Sequence, residues 1–317
     1  MAKFLITGGA GFIGSNLVHY LQRVSSNYAD APETLVLDSL SYAGNLENLA
    51  GLPYPKKNKF IHADVRDVNK VAEAVREVDG IFHLAAESHV DRSISNPGIF
   101  QETNILGSLN ILESAQQYRK RVVMVSTDEV YGSLDQGFAT EDYPLNPSSP
   151  YSASKASADL LSISYFKTYG TDIVVTRCSN NYGPRQYPEK LIPQTITKIL
   201  KNQKIPIYGN GLNVRDWIHV DDHCSGLNLA MQLGVKGNIY NFGGNDNSTN
   251  LEIVKSLLEI THKDEKLIQF VTDRLGHDFR YAIDSSKAQK DFGWKPLKTL
   301  NTELKNVVSW YKNKIKV

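Results

Sequence analysis

An α/β architecture is what this sequence of 317 residues predicts: a doubly wound parallel sheet joined to a smaller, interwoven C-terminal α/β lobe. Three observations carry the prediction. Short β-branched runs alternate with helix-patterned segments over roughly the first 180 residues. The first run passes directly into a glycine-rich turn and a helix, and the second ends in an acid about 20 residues beyond that turn. With 41% of its residues hydrophobic, the chain can bury a large core, and it exceeds the usual size of one domain. Residues 1–180, also receiving segments near 214–245, are expected to form the first unit, and residues 181–317 mainly the second.

Residues 3–7 read as the first strand, and Gly8-Gly9-Ala10-Gly11-Phe12-Ile13-Gly14 turns it into a helix whose Leu17, Val18 and Leu21 recur at helical spacing. Such a turn lets backbone approach a pyrophosphate closely, and the helix N-terminus offers it free N–H groups and a positive dipole end. Residues 34–38 form a second strand ending in Asp38, where a dinucleotide-binding Rossmann fold places the group that holds the adenosine ribose hydroxyls. An acid there repels a 2′-phosphate, and residues 39–55 contain no Arg or Lys, so NAD is favoured over NADP.

Residues 60–65 read as a third strand, 68–78 as a helix with an apolar stripe at Val68, Val71, Ala72 and Val75, and 80–86 as a fourth strand. Helices over 104–118 and 152–169 flank a fifth strand built on Val122-Val123-Met124-Val125, and 172–176 is a sixth. Beyond residue 180 the alternation loosens. Residues 193–201 look helical, and the Pro-bearing run Ile205-Pro206-Ile207-Tyr208 suits an edge strand of a small lobe. A further strand is expected at 238–242, with later helices at 250–261 and 285–292.

Formal net charge is +1 with both signs mixed throughout, which argues against nucleic acid or a membrane surface as partner and for a small molecule. Two cysteines, Cys178 and Cys224, give no disulfide framework and read as core thiols of a reducing compartment. The N-terminal apolar run is too short for a signal peptide and no transmembrane stretch is visible, so the cytoplasm is the expected location. His219-Val220-Asp221-Asp222-His223 has the look of a metal motif but lacks the glutamate and glycine context of a zinc protease. No metal is expected. His83, inside a strand, reads as a core histidine.

Two stretches carry chemistry. Ser126-Thr127-Asp128-Glu129-Val130-Tyr131-Gly132 follows the fifth strand, which places a hydroxyl and two carboxylates at the strand end where open α/β sheets bind ligands. If the chain stays extended, the adjacent acids point to different sides, and one can serve as acid while the other serves as base. Alone, the stretch reads first as a solvated acidic turn, because Asp and Glu are common after strands. Tyr151-Ser152-Ala153-Ser154-Lys155 sets a phenol and an ammonium one helical turn apart, a pairing expected to lower the phenol pKa and make it a base for a sugar hydroxyl.

The glycine turn, Asp38, the Tyr151/Lys155 pair and Asn180-Asn181-Tyr182-Gly183-Pro184 resemble the extended short-chain dehydrogenase/reductase family acting on nucleotide sugars, over nearly the whole chain. Epimerases of that family usually carry Ser or Thr at the first of the three positions 127–129 without the acid pair; the pair is similar to the 4,6-dehydratase branch, with dTDP-glucose as the implied substrate. The resemblance implies that Tyr151, helped by Lys155, takes the C4 hydroxyl proton, that Thr127 bonds the same oxygen, that Glu129 removes the C5 proton and that Asp128 protonates the C6 hydroxyl. It implies NAD contacts at Gly8, Gly11, Phe12, Ile13, Gly14, Asp38, Asp64, Val65, Leu84, Ala85, Ala86, Ser88, Thr103, Tyr151, Lys155 and Asn181. Substrate contacts are implied at Ser88, Thr127, Asn180, Lys190, Leu191, Pro206, Ile207, Tyr208, Arg215, Asn250, Asp273, Arg274 and His277, with Arg215 and Arg274 suited to a diphosphate.

A homodimer joined through the helices near 104–118 and 152–169 is also implied. Leu275 and Phe279 stand where many such enzymes carry Pro and a basic residue, and the segment 133–150 is short. Alternatives are a 4,6-dehydratase or 4-epimerase on a UDP-, CDP- or GDP-linked sugar, or an idle NAD-binding regulator.

Overall fold

The computed structural model describes residues 2–315. The chain runs β1 (Lys3–Thr7), α1 (Phe12–Arg23), β2 (Glu33–Asp38), β3 (Asn58–His62), α2 (Val68–Arg76), β4 (Gly80–His83), α3 (Val90–Ser95), α4 (Pro97–Phe100), α5 (Gly107–Tyr118) and β5 (Arg121–Thr127). It continues through α6 (Pro150–Tyr169), β6 (Ile173–Cys178), β7 (Asn180–Tyr182), α7 (Leu191–Leu200), β8 (Ile205–Tyr208), β9 (Val214–His219) and α8 (Val220–Leu233). The last elements are β10 (Ile239–Phe242), β11 (Asn247–Thr249), α9 (Asn250–Ile260), β12 (Ile268–Val271), α10 (Ser286–Phe292) and α11 (Leu300–Lys314).

Seven strands form one parallel sheet in the order β10-β6-β5-β4-β1-β2-β3. Order reverses between β1 and β4, so a crevice opens at their carboxyl ends. Successive residues of one strand feed opposite faces: Leu5, Leu35, Ile81 and Val122 enter the core over α2 and α5, whereas Ile6, Val36, Phe82 and Val123 enter the core that α1 and α8 close. Burial on both faces is why the strands read as unbroken apolar runs. A third core, around Trp217, Ile196, Val254 and Val307, packs α7, α9 and α11 of the second lobe. There β7, β9 and β11 form a three-stranded sheet, and among the described residues β8 pairs only with β12, so the Pro-bearing strand does sit at an edge.

Three of the expected elements depart by three residues from an expected end, each for a local reason, and α3, α8 and α11 are not among those expected. The third strand ends at His62 rather than 65, because Asp67 N–H donates to the Asp64 carbonyl and the Asp67 side chain then caps α2. The fourth ends at His83 rather than 86, since the Thr7 hydroxyl accepts the N–H groups of both Leu84 and Ala85 at 3.1 Å. The helix expected from 104 begins as a π-helical turn, Gln101–Leu106, before α5. That turn aims Asn104 at Glu87, whose N–H and carbonyl it bonds at 2.9 and 3.0 Å, and at the Ser154 hydroxyl at 2.8 Å.

A buried charge fastens the helix of the Tyr/Lys pair to the acid turn. Arg177 of β6 donates through Nε to Asp159 of α6 at 2.8 Å and through Nη1 to the Tyr131 hydroxyl at 2.9 Å, which in turn donates to Asn241 at 2.8 Å. His83 is held between Thr7 and Ser108 at 2.8 and 3.0 Å, and burial lowers its pKa to about 3, so it is the neutral core histidine expected. Both cysteines are free and buried. In the metal look-alike, His219 caps α8, Asp222 accepts the N–H groups of Leu297 and Lys298, and His223 bonds Asn181.

Candidate active site

The crevice between β1 and β4 is a cleft of about 440 Å³ that runs from Asp38 to the acid pair. Its floor is built by glycine. Gly8 has a φ of +66°, and a Cβ there would lie 2.8 Å from the Ala85 backbone; a Cβ on Gly14 would lie 2.3 Å from the Gly8 carbonyl. The turn therefore brings the N-terminus of α1 against the β1 strand end with no room for a side chain, as a bound pyrophosphate requires. Asp38 closes this end, accepting from Ala10 N–H at 2.9 Å and Leu40 N–H at 2.8 Å. One basic side chain does reach the cleft here, Arg66, but Asp64 and Glu102 pair with it at 2.8 and 2.9 Å. These residues fit NAD.

At the other end, β5 delivers Thr127, Asp128 and Glu129. The backbone does not stay extended: Asp128–Tyr131 is a single 3-10 turn capped by the Thr127 hydroxyl, which accepts from Glu129 N–H at 3.3 Å and donates to Asp128 Oδ1 at 3.2 Å. The two acids diverge because of this turn rather than strand alternation. Asp128 is 2% exposed, and its Oδ2 has no hydrogen-bond partner among the described residues. Burial first, then the charges of Glu129 and Asp216, hold its carboxyl well above the usual carboxylate range. Glu129 is half-buried and also raised by burial, but Lys190, Arg274 and Arg215 pull it back. Burial thus favours the protonated form of both acids, more strongly at Asp128 than at Glu129, where three cations oppose the rise.

Tyr151 and Lys155 follow the Ser149 cap of α6, one turn apart, and both line the cleft. The Lys155 ammonium donates to the Val125 carbonyl of β5 at 2.7 Å. The expected lowering of the phenol is not found: burial first, then Glu129, Cys178 and Asp128, push Tyr151 well above 10, opposed by the Thr127 hydroxyl. The reason is positional, since the lysine charge is tied to the strand backbone while two carboxyls face the phenol.

Every expected NAD position lines the cleft, as do Ser88, Thr127, Asn180 and Lys190 of the substrate set. Asn181 stands in the wall with its side chain engaged by His223, Cys178 and Ser179. Leu191, Pro206, Ile207, Tyr208, Arg215, Asn250, Asp273, Arg274 and His277 lie outside this cleft on the second lobe, with the Ile207 side chain in that lobe's core. Arg215 is 4% exposed and donates three hydrogen bonds to the carbonyls of Val214, Phe279 and Asp278, leaving two of its five N–H groups. His277 bonds Asp273 at 2.6 Å. Sequence reasoning missed Cys178, Gln186, Tyr187 and Glu189, which also line the cleft, as does Glu87 inside the selected run 84–88. Each adjoins or closely follows a segment it did select.

A family model described as GDP-mannose 4,6 dehydratase matches residues 5–307. A dTDP-glucose 4,6-dehydratase of Actinoplanes sp. is 45% identical over 314 residues, 98% of each chain. Among solved structures, DesIV, a dTDP-glucose 4,6-dehydratase from Streptomyces venezuelae with NAD and dTDP bound, superposes with a TM-score of 0.94 at 47% identity, covering 98% of this chain and 97% of that one. A UDP-glucose 4-epimerase of Thermus thermophilus in complex with NAD also superposes, with a TM-score of 0.89 at 32% identity, covering 99% of this chain and 100% of that one. Fold alone does not separate dehydration from epimerisation.

Proposed function

This chain belongs to the dTDP-glucose 4,6-dehydratase family of the extended short-chain dehydrogenases/reductases, and from that premise we propose that Thr127, Asp128, Glu129, Tyr151 and Lys155 perform its chemistry. The reaction is the NAD-dependent dehydration of dTDP-glucose to dTDP-4-keto-6-deoxyglucose, a hydro-lyase activity. The observation that carries the residue assignment is the pair of adjacent carboxyls at the end of β5, of which burial raises Asp128 further while three cations oppose the rise at Glu129.

NAD, when bound, would supply the hydride acceptor for C4 and the hydride returned to C6. Tyr151 must be ionised to act, and as phenolate it takes the C4 hydroxyl proton as the ketone forms, with Thr127 bonding the same oxygen and Lys155 holding α6 against β5. The ketone acidifies C5–H. Glu129 removes that proton, Asp128 gives its own to the C6 hydroxyl, and water leaves. Return of hydride to C6 and a proton to C5 completes the product. Asp128 must be protonated to act, so the elimination slows as pH rises through its raised pKa.

NAD occupies the half made of residues 1–180 and segments near 214–245, and the nucleotide sugar lies mainly against residues 181–317. Arg215 and Arg274 receive the diphosphate. Three backbone carbonyls aim the Arg215 fork, which an ammonium cannot reproduce. Arg215→Lys is expected to raise the KM for dTDP-glucose more than it lowers kcat in steady-state assays; an unchanged KM removes this role. The enzyme works in the cytoplasm as a homodimer through α5 and α6, where Leu106, just before α5, and Leu160 and Tyr169 are left exposed. A monomer by light scattering contradicts that assembly. Among the described residues, no helix is long and apolar enough to cross a membrane.

Offering the protein dTDP-glucose together with UDP-, GDP- and CDP-linked sugars tests the reading by mass. A dTDP product lighter by one water is expected, while a product of unchanged mass identifies an epimerase.

A further inference from the structure

The segment leading into α3 is fastened across the mouth of the cleft to elements far away in sequence. The Ser88 carbonyl accepts from Lys190 Nζ at 2.9 Å, and His89 Nε2 lies 3.8 Å from the Glu189 carboxylate. Asp91 reaches furthest. Its Oδ1 stands 3.6 Å from Arg274 Nη1, and its Oδ2 accepts from the Tyr208 hydroxyl at 3.4 Å. Both contacts are long, and among the described residues neither the buried Arg274 Nε nor Asp91 Oδ1 has a hydrogen-bond partner. Arg274 also shares its field with two other cations, Lys190 and Arg215, each of which it disfavours.

From this geometry, and resting on the assignment of Arg274 to the substrate diphosphate, we propose that Asp91 is a placeholder for that diphosphate. Its carboxylate neutralises Arg274 in the ligand-free enzyme and yields it to the incoming phosphates. A loose pair suits this task, because a carboxylate bound in two short parallel bonds is hard to displace. Asp91 touches no reacting atom. It is a positioning residue that lowers substrate affinity in exchange for a preformed, correctly aimed Arg274.

The test is calorimetric titration of dTDP into the NAD-loaded protein, its Asp91→Asn and Arg274→Gln variants, and the double variant. Asparagine keeps an oxygen for Tyr208 and removes only the charge. A half-exposed ion pair of this kind is worth at most about 1 kcal/mol, so Asp91→Asn is expected to bind dTDP up to about 5-fold tighter, with a matching fall in the KM for dTDP-glucose. In the Arg274→Gln background the same substitution is expected to change nothing. Equal or weaker binding by Asp91→Asn overturns the proposal, as does equal tightening with and without Arg274, which marks a general charge effect. Failure of the unsubstituted protein to bind dTDP overturns the underlying assignment instead, and the proposal with it.

Discussion

Asp128→Asn is expected to lower kcat on dTDP-glucose by roughly 10²- to 10⁴-fold, the usual worth of one positioned proton donor. The loss falls on a single step. An amide cannot protonate the departing C6 hydroxyl, whereas Tyr151, Lys155 and the glycine turn remain in place, so oxidation at C4 continues. With substrate deuterated at C4, the variant is expected to remove the label from C4 but not to deliver it to C6 of a dehydrated product. The same substitution stabilises the fold at neutral pH. Asp128 has a folded pKa raised above its unfolded value by burial, Glu129 and Asp216, so its contribution is fully present below the unfolded pKa of about 3.9 and is lost as pH rises through the folded one. Asparagine carries no such cost. Thermal unfolding at pH 8 is expected at a higher temperature in the variant, with the difference vanishing in acid; a variant less stable at pH 8 means that folding does not raise the Asp128 pKa.

Tyr151→Phe is expected to cost a similar roughly 10²- to 10⁴-fold, but one step earlier. The phenol stands where burial and two neighbouring carboxyls oppose its ionisation, and the Thr127 hydroxyl opposes them. Without it, no group at the end of α6 can accept the C4 proton, because Lys155 is bonded to the Val125 carbonyl. Label at C4 therefore stays at C4, which distinguishes this variant from Asp128→Asn even though both make little product. NAD affinity is expected to change little, since the glycine turn and Asp38 lie at the far end of the cleft. Label leaving C4 at the normal rate would transfer the base role to another residue.

The first half of the fold was legible because its signals are local. Strands buried on both faces leave unbroken apolar runs, and Gly8 and Gly14 stand where no side chain fits. The second half depends on distant pairing. β7 and β11 are three residues each and exist only through β9. α3 was missed because Val90–Ser95 is short and mostly polar, with its start fixed by the His89 ring. The acids were found as residue types, yet their environments were not. What raises Asp128 includes Asp216, 88 positions away in the sequence, and what draws Glu129 back includes Lys190, Arg215 and Arg274. Tyr151 shows the converse failure: helical spacing placed Lys155 one turn away, but only the folded chain shows its ammonium on the strand.

Exchange at C5 tests the division of labour in the acid pair most directly. Glu129→Gln, incubated with dTDP-glucose in deuterium oxide, is expected to oxidise C4 while incorporating no deuterium at C5, whereas the unsubstituted enzyme gives a product lighter by one water that carries solvent deuterium at C5. Exchange at C5 in the variant at the unsubstituted rate would contradict the assignment of Glu129 as the base of the elimination.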